Sequence, residues 1–104
     1  MLTTVEKAIT ERIVKTALNA GLLVGAYADD SADIEPTNNL ADILESAFAY
    51  DCVDLILQSK NEQIGFIALN YFNDGLDIIS DYSTSLEKFV GGISFKQLTI
   101  DLQV

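Results

Sequence analysis

Asp77 and Asp81, four apart in the apolar segment Leu76–Tyr82, are the two side chains whose type and spacing best suit acid–base chemistry. On one strand they stand about 13 Å apart at ~3.3 Å per residue, too far to share a proton or flank one bond. Asp54 joins one of them only if strand order brings it alongside. A solvated strand face is the plainer meaning of all three carboxylates. The chain has no histidine, which removes the side chain that titrates nearest neutral pH and the commonest transition-metal ligand. It also has no Gly-rich phosphate loop, nucleophile elbow or CxxC pair. Asp29, Ser31, Asp33 and Glu35 alternate like calcium-loop oxygens, but the glycine of the sharp turn and the closing bidentate glutamate are missing. The single Cys52, heading an apolar run, reads as a small buried hydrophobe. No catalytic, cofactor or metal site is expected, and the protein reads as non-enzymatic.

The elements that would position these residues follow from periodicity. Thr3-x-x-Glu6 is a capping box ahead of Val5, Ile9, Ile13, Val14, Ala17 and Leu18, predicting an amphipathic helix over 4–20 that Gly21 ends. Leu22–Ala28 is nearly all apolar and reads as a buried strand. Asp29–Asn38, with the only proline and four acids, reads as a loop. Leu40, Ile43, Leu44, Ala47 and Phe48 predict a second helix over 39–50. The period then changes. Cys52–Gln58, Ile64–Phe72 and Leu76–Tyr82 read as an antiparallel meander turning at Lys60-Asn61 and at Asn73-Asp74-Gly75. Ser83 or Thr84, with Glu87, opens a third helix that Gly91-Gly92 breaks. Residues 93–104 alternate like a strand but also fit a helix capped by Ser94. The expected order α-β-α-β-β-β-α(-β) is an α+β fold, one domain over 1–104, with helices packed on one face of a mainly antiparallel sheet.

Register decides which side chains share a face. Those two turns place Val53, Leu55, Leu57, Ile64, Phe66, Ala68, Phe72, Leu76, Ile78 and Tyr82 on the core side. The opposite side then carries Asp54, Ile56, Ile67, Leu69, Tyr71, Asp77, Ile79 and Asp81, an apolar surface rimmed by carboxylates. Such a face calls for a cover: the chain's own C-terminal segment or first helix, a second copy, or another protein. Asp54, Asp77, Asp81, Ile56, Leu69, Tyr71 and Ile79 are therefore the candidate partner-binding residues.

Charge narrows the partner. Thirteen of sixteen acids lie between Ala17 and Glu87 against one base, Lys60, a local charge of −12 within a chain of net −10. Direct nucleic-acid binding needs lysines and arginines to displace condensed counterions, and six bases cannot outweigh sixteen acids. The inverse is open: an acidic domain standing in for nucleic acid on a basic, DNA-binding protein. The alternative is a self-associating homodimeric subunit whose acidity serves solubility. No apolar run is long enough for a membrane span and the N-terminus is unlike a signal peptide, so a cytoplasmic protein is expected.

The stretch QIGFIALNYFNDGLDIISDYSTSLE, residues 63–87, resembles small uncharacterised proteins carried by phages, plasmids and other mobile elements of bacteria. The motif is NDGxDxIxDYSxxLE, a hairpin followed by a helix cap. The resemblance implies no site residues or activity. It implies a bacterial or phage cytoplasm and an accessory role against a host protein.

Overall fold

A computed structural model describes residues 4–28, 31–59, 62–72 and 78–83. Helix α1 (Thr4–Asn19) buries the stripe its spacing predicts, with Ile9, Ile13, Val14 and Ala17 fully inside. Its end is a Schellman turn. Gly21 takes φ +85°, its N–H donates to Leu18 O at 3.0 Å, and the N–H of Leu22 donates to Ala17 O at 3.0 Å. The Thr3 end of the expected capping box lies outside the described residues.

β1 (Leu23–Ala28), β2 (Ser31–Thr37), β3 (Cys52–Ser59), β4 (Glu62–Asn70) and β5 (Ile79–Tyr82) form one antiparallel sheet in the order β2-β1-β3-β4-β5. Helix α2 (Leu40–Ala47) links β2 to β3 and packs beside α1. Both helices contribute to a single core in which Ile9, Ile13 and Ile43 meet Val24, Leu55 and Ile67. The fold is α+β, and the meander β3-β4-β5 is as the turns predict. The third helix and the segment 93–104 lie outside the described residues.

Three expectations are corrected. The segment read as a loop contains strand β2. Its alternation is hidden by two bulges: Glu35 and Pro36 together oppose Gly25, and Asp33 is an extra residue between the pairs Ala26–Ile34 and Tyr27–Ala32. Pro36 is tolerated because it sits in such a bulge, on a strand paired only with β1 among the described strands. Helix α2 stops at Ala47 rather than 50. Asn39 caps its start, accepting from the N–H of Asp42 at 3.1 Å.

The third correction is the register of β3 on β4. Ser59 pairs with Glu62 and Gln58 with Gln63, as a turn at 60–61 requires, but Leu57 then pairs with Gly65. Ile64 is the extra residue. Beyond it every β4 side chain changes face. Ile67 and Leu69 are buried in the core, whereas Phe66 and Ala68, expected there, lie opposite Ile56 and Asp54 on the other side. Phe72 and Tyr82, also expected inside, are exposed. Val53, Leu55, Leu57 and Ile78 are buried as expected, and Leu76 lies outside the described residues.

Gly25 is fixed by the β2 bulge. A Cβ there would lie 2.8 Å from Ile34 O and 2.9 Å from the nitrogen of Pro36. Elsewhere in a strand, alanine outdoes glycine. Here Gly25→Ala is expected to lower stability by about 1–3 kcal/mol through overpacking against backbone, read as a lower urea midpoint. An unchanged or raised midpoint would show that the bulge has room.

Candidate interaction surfaces

Two acidic surfaces emerge, one on each side of the sheet. The first lies between β2 and α2. The bulge at Asp33 re-aims its carboxylate toward the helix, where Ser46 Oγ donates to Oδ2 and Tyr50 Oη donates to Oδ1 at 2.7 Å. Ser46 sits buried on the inner side of α2, and Tyr50 lies just past the helix end. The bond from Ser46 first, and that from Tyr50 second, hold the Asp33 carboxyl below the usual aspartate range. The staple fixes an edge strand to a helix and keeps one charge ionised. Asp42 and Glu45 of α2 line the same open cleft, of about 330 Å³, together with Ile34 and Ala49. No spacing rule in the sequence joins Asp33 to Ser46 and Tyr50. The one available signal is a serine between apolar positions of a strongly amphipathic helix.

The second surface is the sheet face turned away from the helices. Pairing across four strands sets Tyr27, Asp54, Ala68 and Asp81 in one transverse row. Tyr27, Asp54 and Asp81 are exposed, and Ala68 between the two acids is half-buried. The next row carries Gly25, Ile56 and Phe66. Partial burial, and then the negative charge of Asp81, raise the Asp54 carboxyl above the usual aspartate range.

The structure thus brings together three of the seven candidate partner-binding residues: Asp54, Asp81 and Ile56. Three others belong to the helix side. Leu69 is a core residue and Ile79, which pairs with it, packs against that core. Tyr71 reaches α1, where its hydroxyl and Thr10 Oγ1 share a hydrogen bond at 3.0 Å; burial first pushes this phenol up to about 12, against the opposing effect of the Thr10 bond. The bulge at Ile64 accounts for Leu69 and Tyr71, since it moves their strand by one face. Asp77 lies outside the described residues. Cys52, expected buried, is exposed on the second face, where it pairs with Asn70.

Among the described residues no lysine or arginine lines the cleft or stands in the transverse row. Among the described residues Lys7, Arg12 and Lys15 all belong to α1, where Lys15 Nζ pairs with Glu11 at 2.6 Å and Lys7 Nζ stands 5.9 Å from the centre of the Phe48 ring, at the C-cap of α2. No described base forms an ion pair with Asp33, Asp42, Glu45, Asp54 or Asp81. No three histidine, cysteine or carboxylate side chains among the described residues converge as a metal-ligand set. No described helix is long and apolar enough to cross a membrane.

The fold is a small α+β one whose two surfaces carry carboxylates that form no ion pair with a described base. The chain matches no family model, no curated protein and no solved structure.

Two titrations check the geometry. Ser46→Ala, and to a smaller extent Tyr50→Phe, should return the Asp33 pKa upward toward 3.8. A lowered folded-state pKa stabilises the fold above the unfolded value and loses that effect as pH falls through the folded one. Each variant should therefore unfold at a higher pH in acid. Asp54 has the opposite sign: its raised pKa favours the fold fully below 3.8, and that advantage disappears as pH rises through the folded value. Asp81→Asn should lower the Asp54 pKa in carboxyl NMR without restoring it fully, because burial is the larger cause. An Asp54 titration indifferent to Asp81 would refute their juxtaposition.

Proposed function

We propose that the protein is a non-enzymatic interaction domain that docks through its carboxylates on a basic protein surface, in its sharpest form by taking the place of nucleic-acid phosphates. The observation that carries this reading is the separation of charge within the fold. The described bases are gathered on α1, while Asp33, Asp42 and Glu45 on one side of the sheet and Asp54 and Asp81 on the other are left without ion-pair partners among the described residues. Complementary fields of this kind act mainly on encounter rate and partner choice. A domain this size is roughly 30 Å across, and duplex DNA of that length carries on the order of 18 phosphates, about half on one side. The carboxylates of the −12 segment are sufficient in number for such a match.

The resemblance to phage and mobile-element proteins supplies the setting for this reading, a bacterial cytoplasm and a host DNA-binding protein as partner. The other reading, self-association with acidity serving solubility, draws less support from the second face once Leu69 and Ile79, with Ile67, belong to the helix side.

The test is capture of a basic DNA-binding protein at low salt. Binding should fall steeply as ionic strength rises, because the Debye length shrinks from about 10 Å at 0.1 M to about 3 Å at 1 M. Duplex DNA should compete it away. Reversing Asp42, Glu45, Asp54 and Asp81 to lysine should abolish capture, with Asp33 left intact to keep β2 on α2. Capture indifferent to salt, to DNA and to charge reversal would refute the proposal.

A further inference from the structure

We propose that β2 is a strap over the edge of β1 that opens as one unit while the rest of the described fold stays in place, and that the Asp33–Ser46–Tyr50 staple is its latch. Strand β2 contributes no fully buried side chain: Ile34, Pro36 and Thr37 are half-buried, and its other residues are exposed. β1 differs, with Val24 and Ala26 wholly inside. The two ladders differ as well. β1 pairs with β3 without interruption, Leu23–Tyr27 running against Asp54–Gln58. Its ladder with β2 has four pairs broken by two bulges, and Pro36 has no N–H to give it. A segment with few buried apolar contacts and a broken ladder opens at a lower free energy than the core.

The elements flanking the strap have supports of their own. Helix α2 starts on its own cap, where Asn39 Oδ1 accepts from the N–H of Asp42, and it keeps Ile43 and Ala47 buried in the core shared with α1. β1 keeps its ladder with β3. Besides the broken ladder, two contacts hold β2 down. Ile34 packs against the margin of the core, an apolar contact that is only partial. The Asp33 carboxylate accepts from Ser46 Oγ and, at 2.7 Å, from Tyr50 Oη. This second contact is directional and concentrated in one residue at a bulge, so its loss frees the middle of the strand. Closed, β2 lends Asp33 and Ile34 to the cleft and covers the backbone edge of β1. Open, it withdraws both side chains and bares that edge, the kind of surface to which another strand can add.

The experiment is native-state hydrogen exchange of the full ¹⁵N-labelled chain over a series of urea concentrations below the unfolding transition. Amides that join β1 to β2 should exchange at least about tenfold faster than those that join β3 to β4, through an opening with its own, smaller urea dependence. The double variant Ser46→Ala/Tyr50→Phe should speed the β1–β2 amides by about tenfold, as the loss of two hydrogen bonds warrants, and leave the β3–β4 amides unchanged. Asp33→Ala removes the latch from the exposed side and should have the same effect. Glu45→Gln, which alters an acid of the same cleft outside the staple, should change neither set. If β1–β2 amides share the rate and urea dependence of the β3–β4 amides, β2 leaves only with the whole fold and the strap is refuted. Exchange of the β1–β2 amides that ignores urea would mean fraying residue by residue, which also refutes it. Staple variants that speed no amides, or all amides equally, would show that the staple is no latch.

Discussion

One surplus residue in β4, Ile64, decides which side of this sheet is the inside. Without it, Leu57, Leu55 and Val53 would face Ile64, Phe66 and Ala68. With it they face Gly65, Ile67 and Leu69, and Ile64 still packs against the core. Exchanging Phe66 for Ile67 is nearly even in buried apolar surface. Exchanging Ala68 for Leu69 gains three carbons, about 2 kcal/mol at ~0.8 kcal/mol per methylene. The same step turns Tyr71 toward α1, where it meets Thr10. Against a total stability of about 5–15 kcal/mol this is enough to fix the register. The outer face is what remains after that choice: the small Ala68, not Ile67, stands opposite Asp54.

The opposite edge is shaped by the same device. Two bulges in β2 let one strand hold a proline, press its backbone on Gly25 and direct an aspartate at a helix. An edge strand with exposed backbone invites pairing with other chains, and bulges, proline and charge are the usual deterrents. β2 has all three in Asp33, Glu35 and Pro36. The Asp33–Ser46–Tyr50 staple then anchors that irregular strand to α2, whose outer carboxylates continue the acidic surface.

These bulges also explain how much of the fold is legible in the sequence. The features set by local chemistry are readable: the stripe of α1, the glycine that ends it, the period of α2, the strand character of 52–58 and the pairing of Ser59 with Glu62. The faces are not. A bulge has no fixed composition, and neither Ile64 nor Asp33 differs locally from its neighbours, yet each reverses the outward or inward sense of the residues beyond it. That, together with the further register shift at Ser80 between the pairs Leu69–Ile79 and Ala68–Asp81, is why simple alternation groups Leu69, Tyr71 and Ile79 with Asp54 and Asp81 although they belong to the core side. It is also why the alternation of β2 is invisible and its proline suggests a loop. Asp54 and Asp81 can be foreseen as neighbours only once strand order is known.

The net charge of this chain lies just beyond the range typical of small soluble domains. A small domain stays soluble with a net charge of magnitude about 2–8, and the chain carries −10. Charges placed only for solubility belong at positions where water screens them fully. Asp54, though exposed, loses some hydration beside Ile56 and lies within the influence of Asp81, so ionising it works against both desolvation and repulsion. An asparagine would spare the fold that strain and keep the strand. The described fold retains two mutually repelling carboxylates around an alanine, on a face that its three described bases, all on α1, do not reach.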